Sequence, residues 1–106
     1  MNNEIELLLL TANGDESAFG RLFTLYANHI YAVAVRFTGS PTIAEETVQD
    51  VFLKIWLKKE SLPEIRDFRA YLFIIARNYL YRILQDNADK YRKQRDYSRS
   101  YALTQN

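Results

Sequence analysis

Two stretches of this chain carry side chains that could do chemistry, and both are spaced for binding. Between Arg66 and Arg82, rings and guanidinium groups interleave, as in Arg66-Asp67-Phe68-Arg69-Ala70-Tyr71 and Tyr79-Leu80-Tyr81-Arg82. On a helical wheel Tyr71, Ile74, Arg77, Asn78, Tyr81, Arg82 and Gln85 fall outside the apolar stripe. Arginine pairs with phosphate, rings stack on unpaired bases, and Asn or Gln can read a base edge, so the set suits single-stranded nucleic acid. The plainer alternative has the tyrosines straddling the core boundary while Arg77 and Arg82 bridge to acidic neighbours.

The second stretch is residues 43–58. Val48, Val51, Phe52, Ile55 and Trp56 recur at i, i+3, i+4, i+7 and i+8, a core stripe in which Trp56 reads as a packing residue. Glu46, Gln49, Asp50, Leu53 and Leu57 fall on the far side. Two leucines among carboxylates make a docking face for a basic partner helix. The alternative is that the apolar run Leu7–Leu10 folds over Leu53 and Leu57 and buries them.

Catalysis has little to stand on. The single histidine, His29, lies within an apolar helical pattern and reads as a boundary residue. Glu45 and Glu46 are adjacent and point in different directions, so they make no acid–base pair. There is no cysteine, no glycine-rich phosphate loop and no metal-ligand cluster. The expectation is a protein without enzymatic activity, cofactor or metal.

The breakers divide the sequence into four helical segments that must position these faces. A short helix covers Asn3 to Ala12 and ends at Asn13-Gly14. Asp15 then caps a long helix reaching Thr38, with Phe19, Leu22, Phe23, Tyr26, Ile30, Val33 and Phe37 on one face. Gly39-Ser40-Pro41 stops it, and Thr42 with Glu45 reads as a capping box for a third helix running to about Lys59. Leu62-Pro63 breaks the chain, and Asp67 caps a fourth helix from Phe68 to near Asp89, buried along Phe68, Leu72, Ile75, Ala76, Tyr79 and Ile83. From Lys90 the polar, basic sequence reads as a fraying helix that becomes a linker or tail. The expected fold is all-α: a small bundle of one short and three longer helices.

Composition bounds the rest. One hundred and six residues make one domain, and 48% apolar with 25% charged residues is ordinary globular usage. Three glycines and two prolines are too few for an all-β fold. The acidic N-terminus does not suit a signal peptide, and no apolar run approaches the roughly 20 residues that span a bilayer. A cytoplasmic domain without membrane insertion is expected. The net charge of +1 hides an asymmetry: residues 1–65 hold five basic and nine acidic side chains, residues 66–106 nine basic and four acidic. Such a division suggests two partners, the basic half facing a polyanion.

The residues Asp15-Glu16-Ser17-Ala18-Phe19, Arg36-Phe37-Thr38-Gly39-Ser40, Ala44-Glu45-Glu46-Thr47-Val48-Gln49-Asp50-Val51-Phe52-Leu53-Lys54-Ile55-Trp56, and Ile75-Ala76-Arg77-Asn78 follow one another in an order and spacing that resembles region 2 of extracytoplasmic-function (ECF) sigma factors, bacterial transcription initiation subunits. The resemblance covers about residues 5 to 95. It implies that the third helix docks on the clamp helices of the largest catalytic subunit of RNA polymerase core, with Glu46, Gln49 and Asp50 as polar contacts and Leu53 and Leu57 filling the apolar part. It implies that the fourth helix and the loop of residues 60–67 melt promoter DNA and recognise the single-stranded non-template minus-ten element, the loop walling a pocket for a flipped-out base. The DNA-binding set would be Arg66, Arg69, Tyr71, Arg77, Asn78, Tyr81 and Arg82.

Three positions depart from the family pattern: Tyr71 where Trp is usual, Ile74 where a basic residue is common, and Arg82 where an aspartate or other polar residue is common. The family's control by anti-sigma factors implies such a partner as well. Residues 1–95 read as the region 2 domain and 96–106 as the start of a disordered interdomain linker. The second, minus-thirty-five-reading domain has no counterpart in this sequence, which reads as an excised or truncated form. The rival expectation is a helical protein-interaction module with a nonspecific basic tail.

Overall fold

The computed structural model describes residues 3–104, and side chains for residues 3–89. Helix α1 is Asn3–Ala12, α2 Glu16–Thr38 and α3 Pro41–Leu57; a 3-10 helix follows over Lys59–Glu64, then α4 over Phe68–Thr104. No strand occurs among the described residues, so the fold is all-α. Helix α2 packs along α3, α1 crosses α2 and the 3-10 helix, and α4 lies against both α2 and α3.

The local reasons are mostly those of the sequence. Gly14 (φ 92°) and Gly39 (φ 70°) take the left-handed conformation that closes α1 and α2. The Asp15 carboxylate accepts from the Ala18 N–H at 3.0 Å and that of Asp67 from the Ala70 N–H at 3.0 Å, so both act as caps. The cap of α3 differs from expectation. Ser40 Oγ, not Thr42, accepts from the Ile43 N–H at 3.2 Å. Pro41 explains the shift, because it has no N–H to lose and its fixed φ suits the first helical position, which moves the cap one residue before it.

Two helix ends also differ. Helix α3 stops at Leu57, and the chain tightens into the 3-10 helix with Leu62 in the core. Helix α4 does not stop near Asp89 but continues to Thr104, through residues read as a linker. No glycine or proline follows Pro63, so α4 contains no helix breaker over this stretch. The basic side chains from Lys90 onward lie outside the described residues.

Leu22, Ile30, Val51, Ile55, Leu62 and Leu72 form the fully buried centre. The Leu7–Leu10 run finds its cover here, since Leu7 and Leu8 join the core while Leu9 and Leu10 stay exposed. Ala34 and Ala44 let α2 and α3 close on Leu80, which extends the line Phe68–Leu72–Ala76 by one more step of four. Tyr26 donates to Glu4 Oε1 at 2.8 Å and meets the Phe68 ring at 5.5 Å, joining α1, α2 and α4. The Thr11 hydroxyl is buried with no hydrogen-bond partner.

Candidate functional site

The outer face of α3 is open. Leu53 and Leu57 are 54% and 66% exposed, and α1 does not cover them. Glu46 and Gln49 are exposed beside them. Leu53 continues into a groove of about 500 Å³ between α2 and α3, lined by Phe19, Phe23, Phe52 and Trp56, with Glu16 and Gln49 supplying polarity. Trp56 is half-buried: its ring lies 5.0 Å from Phe19 and the Lys59 ammonium stands 4.5 Å over it. It is therefore a packing residue that also lines the groove. The face combines apolar area with negative charge, and the His29 side chain is exposed far along α2.

Asp50 is the exception in this set. It is half-buried and turned toward α4, where the Tyr79 hydroxyl donates to Oδ2 at 2.5 Å. Partial burial first, then that bond and the negative fields of Asp50 and Glu46, push the Tyr79 hydroxyl up to about 12, against a smaller downward effect of Arg82. One oxygen of Asp50 is thus engaged within the domain, and the bond links α3 to α4 one residue from Asn78. Sequence reasoning placed Tyr79 in the core stripe and missed this role. The partners are 29 residues apart, and no local pattern pairs them.

On α4 the expected DNA-binding residues are exposed, except Tyr71, which is half-buried against the core. They do not form one patch. Arg66 and Arg69 line a groove of about 470 Å³ between α1 and the start of α4, with Glu4 and Asp67 on the same walls. Arg69 also lies over the Phe73 ring at 5.8 Å. This groove sits where a wall for a flipped base was expected, and its charge is mixed. Asn78 is nine residues from Arg69, about two and a half helical turns, and so faces the other side of the helix. Arg82 is close enough to act on Tyr79, which bonds to α3. Arg77 and Tyr81 line a third groove, against the end of α2. The arginines of this region therefore lie on three separate surfaces, of which the Arg66–Arg69 groove is mixed in charge, and Ile74 and Gln85 are exposed on the outward side of α4.

Among the described residues no group of three or more His, Cys, Asp or Glu side chains could hold a metal, and no helix is long and apolar enough to cross a membrane.

The all-α domain thus sets an acidic-apolar face of α3 beside a fourth helix rich in arginines and rings. Residues 22–97 match the family model described as Sigma-70 region 2. The chain is 31% identical over 65 residues to the ECF RNA polymerase sigma factor SigW of Bacillus subtilis, covering 61% of this chain and 35% of that protein. It is 30% identical over 91 residues to SigK of a Mycobacterium species (strain KMS), covering 84% and 47%. With BldN of Streptomyces coelicolor the identity is 32% over 75 residues, covering 70% and 28%. The chain thus spans less than half the length of these relatives. No solved structure matches it. The chain belongs to the Sigma-70 region 2 family and is a region 2 domain of the ECF sigma type.

Proposed function

We propose that this domain docks on RNA polymerase core through the outer face of α3 and opens promoter DNA at the minus-ten element through α4. The observation that carries the docking half is the exposure of Leu53 and Leu57 beside Glu46 and Gln49, an apolar strip rimmed by negative charge that suits the basic clamp helices of the largest catalytic subunit. Asp50 adds a second contact once presented by Tyr79. The DNA half rests on the exposed Arg77, Asn78, Tyr81 and Arg82, with Arg66 and Arg69 beside the preceding loop. Phosphates pair with the arginines, while Asn78 and Arg82 carry the base preference. Flipping a base costs a few kcal/mol of unstacking, which contacts to the extruded base offset.

Two measurements test the halves separately. The double variant Asp50→Ala, Leu53→Ala should lose capture of core polymerase while its helical circular dichroism stays intact; an unfolded variant would mean that these residues belong to the core. Asn78→Ala or Arg82→Ala should alter the preference for a single strand carrying the minus-ten sequence over a scrambled strand, at stated salt. Equal binding of every sequence by the parent chain would instead support a nonspecific interaction module.

A further inference from the structure

The outward side of α4 is completed by α2. The last turns of α2 bring Phe37 against Tyr81, with ring centroids 5.4 Å apart and planes tilted by 57°. Between the two helices lies a groove of about 290 Å³ whose lining includes Val33, Phe37, Ile74, Arg77 and Tyr81. Phe37 is 42%, Ile74 48% and Tyr81 51% exposed. Large apolar side chains left open together in one groove mark a binding surface.

Two features say what would bind. Two of the exposed wall residues, Phe37 and Tyr81, are rings, and rings that meet at a tilt are not covered face to face, so a third flat ring can still stack on them. The charge is one-sided: Arg77 is the charged residue of the lining, and no carboxylate shares it. A basic helix of the kind expected at α3 would meet repulsion there. A nucleic-acid strand would find a stacking face and a phosphate partner in one place.

We infer that this groove is a stacking site for an unpaired base of a DNA strand, in which Phe37 of α2 supplies a ring and Arg77 pairs with the adjoining phosphate. The inference rests on the reading of α4 as a single-strand face and extends that face to a helix outside it. It also gives Ile74 a use, as an apolar wall for the base where a cation would bring only charge.

Because stacking tolerates any base, labelled oligothymidine is the probe, followed by anisotropy over a salt series with the chain alone and with the chain bound to polymerase core. Phe37→Ala should weaken binding about fivefold or more at every salt concentration, with the slope of log affinity against log salt unchanged. Phe37→Trp should restore the affinity. Arg77→Ala should lower that slope by about 0.7, the value for one single-strand phosphate. Phe37→Leu keeps the apolar volume without the ring and serves as a second test should alanine loosen the fold; it should weaken binding likewise. Parental affinity in Phe37→Leu and Phe37→Ala overturns the inference. So does a loss of polymerase capture with oligothymidine binding intact, which would make the groove a protein surface. In either case a change of base preference in Asn78→Ala would leave the α4 reading standing. If the parent chain binds no strand at low salt, alone or with polymerase, that reading and this groove fall together.

Discussion

The groove beside α3 and the groove beside Phe37 are both walled by aromatic rings, yet they suit different partners. The first carries Glu16 and Gln49 among its rings and continues to Leu53; the second carries Arg77 and no carboxylate. Apolar area alone says only that something docks. The charge set around it selects the partner, because like charges brought together in a desolvated interface cost several kcal/mol. Between the two surfaces stands the Tyr79–Asp50 hydrogen bond, which fixes a candidate polymerase contact from the helix that would hold DNA.

The largest effects separate what α3 buries from what it offers. Ile55→Ala should lower the unfolding free energy in urea by about 2–5 kcal/mol, whereas Leu57→Ala should stay within about 0.5 kcal/mol. Comparable losses from both would make the outer face part of the core. Next comes a charge reversal on each surface. Glu46→Lys should weaken polymerase capture about tenfold and leave strand binding unchanged, and Arg82→Glu should do the opposite. Crossed effects in a pull-down and an anisotropy titration would erase the division between the two faces.

A smaller effect tests the link. Tyr79→Phe removes one donor from a half-buried carboxylate and should cost about 1 kcal/mol of stability, together with part of the polymerase affinity. The linkage has a definite sign. In the unfolded chain a tyrosine ionises near 10, while Tyr79 in the fold is pushed up to about 12. Above pH 10 the unfolded chain has therefore released a proton that the folded one keeps. The stabilisation is complete below pH 10 and is lost as pH rises toward 12. Tyr26, pushed up to about 12 by burial and by its bond to Glu4, adds a loss in the same range. The denaturant midpoint should fall less between pH 9 and pH 11 in Tyr79→Phe than in the parent. The smallest effect lies away from both surfaces. Thr11→Val removes a buried hydroxyl without a partner and should raise stability by about 1 kcal/mol, with both binding activities unchanged.

Much of the bundle was legible because its signals are local. Gly14, Gly39, Asp15 and Asp67 act within one turn of where they stand, and the stripe of Val48, Val51, Phe52 and Ile55 follows from the helical period. The outward position of Glu46, Gln49, Leu53 and Leu57 follows from the same period. A competing local choice hid the cap of α3, since both Ser40 and Thr42 carry a hydroxyl and only Pro41 decides between them.

By itself, then, the sequence determined the helices, the faces they bury and the charge of each outer face, all of which depend on residues three or four positions apart. Tertiary structure alone decided that α1 leaves Leu53 and Leu57 open, that Tyr79 holds Asp50, and that Phe37 joins Arg77 and Tyr81. Those outcomes depend on how one helix is set against another, and the angle and register of packed helices come from the whole core rather than from any window of the chain.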